Sequence, residues 1–162
     1  MFRVGFGQDS HRFSRDEHKK LILGTVEVEG CRGLEANSDG DLILHALCAA
    51  IEQALGRVNF SVYSDAMCKD GITNSIEYLK VALGHLKEDG YLINNLGISI
   101  EAESPKILPI EEKMKDKLAG ILSVEKSKIG INATTGEGLT AFGRGEGIQV
   151  FVIISIIKNE KD

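Results

Sequence analysis

Asp9, His11 and His45 are side chains of the kinds that ligate metal ions. The apolar run over residues 2–7 predicts a strand that ends at Asp9 and His11. Residues two apart on a strand point to the same face, so these two can share one ion. Two imidazoles, one carboxylate and an open fourth position are typical of a catalytic zinc site. The same donors suit a non-haem Fe(II) oxygenase, and that alternative stays open.

The competing interpretation is purely structural: Asp9 caps a turn and the histidines are ordinary polar residues. The metal is favoured because His45 faces inward on a predicted helix, among Leu and Cys residues. The two other histidines, His18 and His85, stand in charged surroundings, and we expect them to take no part in the site.

The segment Ser38–Asp41 predicts the start of the helix that carries His45. Ser38 is the expected N-cap, and Asp41 follows three residues later, close to a capping box. Gly56 predicts the end of this helix. Asp41 and His45 are four residues apart, so we expect Asp41 to orient the imidazole as a partner behind the metal ligand.

Two glycine-containing segments and one proline turn offer groups that suit phosphate. Residues 134–138 end a predicted strand with hydroxyls, backbone N–H groups and Glu137, a carboxylate that suits Mg²⁺. Lys106, beside Pro105, can meet a phosphate. The alternate glycines of residues 143–147 predict close approach of another chain or an unusual backbone path, and the charges between them suggest an intersubunit ion pair or an anion site. Plain turns are the structural alternative for each segment.

Composition is that of a globular protein of one domain, spanning residues 1–162. The formal net charge of −5 argues against nucleic acid or an anionic membrane as partner. Three widely spaced cysteines without a C-x-x-C motif predict reduced thiols in a reducing compartment. The N-terminus lacks a signal-peptide pattern, and the longest apolar run is too short to span a bilayer, so we expect a cytoplasmic protein.

The predicted elements run β, β, α, α, β, α, β, β. Helices are expected over residues 38–55, 73–88 and 109–122, and strands near residues 21–28, 93–103, 128–133 and 148–157. Residues 57–71 lack a clear pattern and are expected to form a mobile or ligand-covering loop. The fold class is α+β, with one mixed β-sheet and helices packed on one face.

The motifs, taken in order, resemble the 2-C-methyl-D-erythritol 2,4-cyclodiphosphate synthase family. The resemblance covers nearly the whole chain through the stretches Gly5–His11, Ser38–Asp41 with His45, Ser104–Pro109, Ala133–Glu137 and Gly143–Gly147. It implies a phosphorus–oxygen lyase of non-mevalonate isoprenoid biosynthesis. The reaction cyclises 4-diphosphocytidyl-2-C-methyl-D-erythritol 2-phosphate to the 2,4-cyclodiphosphate and releases CMP.

The resemblance also implies a homotrimer with active sites between subunits. Asp9, His11 and His45 would bind Zn²⁺, and Glu137 would bind Mg²⁺ or Mn²⁺. Thr135 would contact phosphate, and Ser38 the erythritol phosphate. The cytidine pocket of the neighbouring subunit would be lined by Ala102, Pro105, Lys106, Ile107, Leu108, Ala133 and Thr134. Arg144 and Glu146 would lie near the threefold axis, beside a cavity for an isoprenoid diphosphate.

The sequence departs from the family pattern at the polyol end of the implied pocket. Asn37 stands where the family usually has His, so it can hydrogen-bond the methylerythritol phosphate but cannot carry a proton. The family's Gly-Asp-Ile-Gly loop is not recognisable in residues 57–71, where Asp65 is the nearest replacement for the acid. Ala141 stands where the family often has Phe. These departures motivate an alternative function, a non-catalytic, metal-stabilised trimer that binds a nucleotide or isoprenoid diphosphate.

Overall fold

The computed structural model describes residues 1–159; the last three residues of the predicted 1–162 domain lie outside this range. The strands are β1 (Phe2–Arg12), β2 (Lys20–Leu23), β3 (Val26–Arg32), β4 (Tyr91–Glu101), β5 (Ile129–Thr134) and β6 (Gly147–Lys158). The helices are α1 (Leu42–Leu55), α2 (Ser61–Lys69), α3 (Ser75–Glu88) and α4 (Glu111–Leu122). Within residues 1–159, no helix combines the length and the apolar character needed to cross a bilayer.

The main sheet is mixed and has the strand order β1-β6-β4-β5. The β4 and β5 strands are parallel, whereas β6 runs antiparallel to both of its neighbours. The β2–β3 pair forms a separate two-stranded sheet, so the strand region predicted near residues 21–28 consists of two antiparallel strands. The α+β class and the mixed sheet are therefore confirmed.

The inner face of the sheet packs against α1. Two glycines of β1 allow this approach, because a Cβ atom on Gly5 or Gly7 would lie 1.9 Å or 2.0 Å from a carbonyl oxygen of α1. The inner positions of β6 are fully buried Ile and Val residues. The outer face is different: Val4, Phe6 and Ile153 remain about half exposed there.

Helix α1 begins three residues later than predicted. Asp41, not Ser38, is the N-cap, and its carboxylate accepts hydrogen bonds from the backbone N–H groups of Ile43 and Leu44. The same fully buried carboxylate accepts from the N–H groups of Gly24 and Thr25. Asp41 therefore ties the β2–β3 turn to the helix. The predicted stop at Gly56 is confirmed, since this residue has a left-handed φ of 71°.

The predicted loop over residues 57–71 is wrong, because this segment contains helix α2. Phe60, Tyr63 and Met67 follow helical spacing and are partly buried against the core. Only Ser64 of α2 is fully buried, so the apolar stripe is narrow and its periodicity in the sequence is weak. This segment lines one side of a pocket that also contains Asp9, His11 and His45.

Candidate metal centre and substrate pocket

Strand β1 and helix α1 bring Asp9, His11 and His45 together, as their spacing predicts. Oδ2 of Asp9 lies 2.9 Å from Nδ1 of His45 and 3.3 Å from Nε2 of His11. One potential ligand atom from each of the three residues lies within 4.8 Å of the others. Asp9 and His11 occupy inner-face positions of β1, which explains why they meet a side chain of α1. These three residues form a candidate metal-binding triad.

The Asp9 carboxylate is well suited to hold a cation. Burial by itself raises the pKa of Asp9, but the hydrogen bonds and positive charge of His11 and His45 outweigh this effect and lower it to about 2. A further hydrogen bond comes from the backbone N–H group of Ser10 to Oδ1, at 2.9 Å. Oδ2 is consequently the oxygen that faces both imidazoles.

The far side of the His45 ring contacts two serines, and Asp41 is not among its side-chain partners. Nε2 of His45 lies 2.9 Å from the Ser75 hydroxyl and 3.3 Å from the Ser38 hydroxyl. Ser75 donates its proton to Oδ1 of Asp39, so its oxygen accepts from the Nε2–H group of His45. The expected orienting role of Asp41 is thus wrong, and the contacts assign that role to Ser75 and Asp39.

A pocket of about 610 Å³ opens beside the triad. Three predicted residues, Asn37, Ser38 and Asp65, lie in its wall together with Asp9, His11 and His45. Helix α2 supplies one side of the pocket, which explains how Asp65 reaches it from a segment that has no family motif. The remaining lining residues are Ala36, Phe60, Ser61, Ser64, Cys68, Lys69 and Tyr78.

The predicted nucleotide-binding residues lie elsewhere in the same chain, at the opposite edge of the sheet. One row of paired residues crosses the four strands and consists of Ser10, Gln149, Glu101 and Thr134. Three strand spacings separate the ends of this row, about 14 Å in all. The metal triad and the two nucleotide segments, residues 102–108 and 133–137, therefore lie at one end of the sheet. They are too far apart to share one small phosphate group.

The nucleotide segments form a compact unit around the ends of β4 and β5. Ala102 donates its backbone N–H group to the carbonyl oxygen of Thr134, at 3.0 Å. Ala102, Pro105 and Ile107 are buried, whereas the other predicted lining residues are exposed: Lys106, Leu108, Ala133 and Thr134. The Lys106 ammonium donates to the carbonyl oxygen of Glu103, at 3.3 Å.

Glu137 lies in a short 3-10 turn with its carboxylate exposed to solvent. Its φ of 52° is left-handed, and the Thr135 hydroxyl accepts a hydrogen bond from its backbone N–H group, at 3.3 Å. Thr135 and Glu137 are thus held at one tight turn, with the carboxylate available to a ligand.

Arg144 and Glu146 pair with each other within one chain. Nε of Arg144 lies 3.1 Å from Oε1 of Glu146, and Arg12 approaches the other oxygen at 3.6 Å. All three side chains are largely exposed. An anion at Arg144 would have to compete with Glu146.

A family model described as the YgbB family matches residues 2–157. The chain belongs to the YgbB family. Curated relatives named 2-C-methyl-D-erythritol 2,4-cyclodiphosphate synthase support this assignment. The protein of Chlamydia muridarum is 41% identical over 160 residues, covering 98% of this chain and 89% of the relative. The protein of Chlamydia abortus is 42% identical over the same length, with 98% and 90% covered.

Solved structures of the YgbB fold agree with the architecture. The bifunctional IspDF of Campylobacter jejuni matches with a TM-score of 0.88 and 34% identity. The match covers 96% of this chain but only 42% of that bifunctional protein. IspF of Plasmodium falciparum, solved as a CDP complex, matches with a TM-score of 0.86 and 29% identity, covering 98% of this chain and 97% of that one.

Sequence reasoning missed several members of this YgbB-family site. Ser75, Phe60 and Tyr78 carried no motif, because their contacts depend on how α2 and α3 pack against α1. His85 is not in the triad or the pocket lining, but its expected solvated surroundings are wrong, because its Nδ1 lies 2.8 Å from Oε1 of the buried Glu52. The only available signal for Ser75 was its position next to Asn74, the N-cap of α3.

Proposed function

We propose that this chain cyclises 4-diphosphocytidyl-2-C-methyl-D-erythritol 2-phosphate to 2-C-methyl-D-erythritol 2,4-cyclodiphosphate with release of CMP. The observation that carries this proposal is the Asp9–His11–His45 triad at the pocket, in a chain of the YgbB family. In this reaction an oxygen of the substrate's 2-phosphate attacks its own β-phosphorus. The bond from that phosphorus to the oxygen of CMP breaks, and CMP leaves with the electron pair.

The triad would hold Zn²⁺, because its one carboxylate and two imidazoles match the donors of catalytic zinc sites. When bound there, the ion would act as a Lewis acid toward the β-phosphate oxygens. Nδ1 of His45 faces the Asp9 carboxylate at 2.9 Å, so this nitrogen would be the ligand atom of His45. The Ser75 hydroxyl keeps the ring in place through Nε2.

The nucleotide would be held by a neighbouring copy of the chain. The two edges of the sheet are about 14 Å apart, so the triad and the nucleotide segments of one chain form two separate sites. A second copy can place its Lys106, Ala133 and Thr134 beside the first copy's triad. There Thr135 would bind phosphate, and Glu137 would hold Mg²⁺ or Mn²⁺, which would neutralise phosphate charge.

A homotrimer is supported by the outer face of the sheet. Phe6 and Ile153 are 47% and 53% exposed, and Phe6 stacks on Phe151 with ring centroids 5.8 Å apart. An apolar patch on a sheet face marks an interaction surface. We place the threefold axis along this face, with Arg144 and Glu146 as an anion site for an isoprenoid diphosphate in the central cavity.

The attacking end of the substrate would lie against the wall that contains Asn37, Ser38 and Asp65. Asp65 is exposed toward the pocket, so its carboxylate can accept hydrogen bonds from the erythritol hydroxyls. Helix α2 thereby supplies the acid that the family takes from its Gly-Asp-Ile-Gly loop. The three cysteines are free thiols, which suits a reducing compartment such as the cytoplasm.

The experiment is incubation of the purified protein with the substrate, Zn²⁺ and Mg²⁺, followed by detection of CMP and the cyclic product. Formation of both products supports the proposal, and His45→Ala should abolish it together with zinc binding. Tight CMP binding without turnover would instead indicate the non-catalytic trimer. Iron as the metal found in the purified protein would favour the oxygenase alternative.

A further inference from the structure

Glu52 is a buried carboxylate that the proposed reaction does not use. It lies on α1, is 1% exposed, and its Oε2 atom has no hydrogen-bond partner among residues 1–159. Its Oε1 atom accepts two hydrogen bonds, from the Tyr63 hydroxyl at 3.1 Å and from Nδ1 of His85 at 2.8 Å. A buried carboxylate is costly unless it is hydrogen-bonded, so these two contacts account for its presence in the core.

The three residues come from three different helices. Glu52 belongs to α1, Tyr63 to α2 and His85 to α3. Burial, together with the nearby thiol of Cys48 and the charge of Glu52, raises the pKa of Tyr63, so its hydroxyl stays protonated and donates to Glu52. One carboxylate oxygen therefore joins α2 to the rest of the helical layer.

Helix α2 has few other attachments. Its N-cap, Phe60, makes no side-chain capping bond, and Ser64 is its only buried residue. The other attachments are the partly buried side chains of Phe60 and Met67 and a 3.5 Å contact from the Cys68 thiol to the carbonyl oxygen of Asn37. Yet the segment over residues 60–69 contributes six of the pocket's lining residues, Asp65 among them. A pocket wall with so little buried surface needs a specific contact to hold it in one position.

A row of rings connects this contact to the metal triad. The Tyr63 ring lies 5.9 Å from the His85 ring and 6.3 Å from the Phe60 ring, measured between centroids. The Phe60 ring lies 5.7 Å from the ring of His45. These ring contacts place the start of α2 beside the metal side of the pocket.

We propose that Glu52, Tyr63 and His85 are positioning residues that hold α2 as the substrate-binding wall of the site. The inference rests on the proposed function, since it assigns a role in substrate binding. When the contact is lost, α2 samples positions that do not bind substrate. The apparent affinity for substrate then falls in proportion to the fraction of protein in which α2 still occupies the binding position. Saturating substrate restores the competent position, so the maximal rate and the metal triad are unaffected.

Tyr63→Phe tests the contact because it removes one hydroxyl and keeps the ring between Phe60 and His85. We expect KM to rise about tenfold, the effect of losing one hydrogen bond to a charged group. The kcat value and the zinc content should stay as in the unmodified protein. Amide hydrogen exchange over residues 61–69, measured without substrate, should become faster. Tyr91→Phe is the matched control, because within residues 1–159 the Tyr91 hydroxyl donates only to the sulfur of Met1, and Tyr91 lies at the end of β4 away from the site.

A double-mutant cycle separates the contact from general loss of stability. Glu52→Leu should raise KM about as much as Tyr63→Phe, and the double variant should be no worse than either single one. The inference would be overturned if Tyr63→Phe had the same KM and the same exchange rate as Tyr91→Phe. It would also be overturned if the effects of Tyr63→Phe and Glu52→Leu on KM were additive. Absence of CMP release by the unmodified protein would refute the proposed reaction, whereas the exchange measurement would still decide whether Tyr63 holds α2.

Discussion

Replacing Ser75 by alanine should weaken metal binding although Ser75 is not itself a ligand. Its hydroxyl lies between Nε2 of His45 and Oδ1 of Asp39. It accepts from the imidazole and donates to the carboxylate, which keeps the proton on Nε2 and turns Nδ1 toward Asp9. Ser75→Ala removes both contacts while leaving the backbone N–H bond to Oδ2 of Asp39, at 3.0 Å.

The size of the effect follows from what remains around His45. Loss of an outer partner of a metal-bound histidine typically lowers metal affinity about 10- to 100-fold. The Ser38 hydroxyl, at 3.3 Å from Nε2, can replace part of the lost contact. We therefore expect the lower end of this range, about tenfold or about 1.4 kcal/mol.

The assay is the zinc dissociation constant, measured by competition with a chromophoric chelator. Ser14→Ala is the matched control, because Ser14 is also buried but, in the part of the chain that the structure describes, its hydroxyl accepts only from the backbone N–H group of Asp16. The control should keep the zinc affinity of the unmodified protein. If Ser75→Ala also keeps it, the role assigned to Ser75 is wrong.

Three further predictions concern other parts of the account. The folded-state pKa of Asp9 lies near 2, below the ordinary 3.8, so its carboxylate stabilises the metal-free fold above pH 4. That contribution, about 2 kcal/mol, should be lost as the pH falls from 4 to 2. Asp9→Asn should remove this part of the pH dependence of the unfolding free energy, measured by denaturant titration. The same pH dependence in Asp9→Asn and in the unmodified protein would contradict the prediction. Gly7→Ala should lower the free energy of unfolding by about 3 kcal/mol in urea, because its Cβ would lie 2.0 Å from the Ala46 carbonyl oxygen; a change below about 1 kcal/mol would show that α1 can shift freely. Glu137→Gln should weaken the response of CMP release to Mg²⁺ without altering zinc content, whereas an unchanged Mg²⁺ titration would remove Glu137 as a ligand.

The sequence was sufficient for features that depend on local spacing. Asp9 and His11 share a face because strands alternate with a period of two, and the stop at Gly56 follows from its left-handed conformation. The triad could be predicted because His45 lies early in a strongly periodic helix. The ordered motifs then led to the family.

Features that depend on packing between helices could not be predicted in this way. Asp41 was taken for a partner of His45 because the two are four residues apart, but burial turns its carboxylate toward the β2–β3 turn. Helix α2 was missed because a single fully buried residue leaves little periodicity in the sequence. His85 appeared solvated because its partner, Glu52, lies 33 residues away on another helix.

The most direct test of the account is whether one active site is built from two chains. His45→Ala removes the metal half of the site, and Glu137→Gln with Thr135→Ala removes the nucleotide half, so each protein alone should be inactive. When equal amounts are unfolded and refolded together and assemble at random, about one quarter of all sites should combine two intact halves. We predict that CMP release returns to about this fraction of the unmodified rate. No recovery on mixing, under conditions where mixed trimers form, would contradict a site shared between chains.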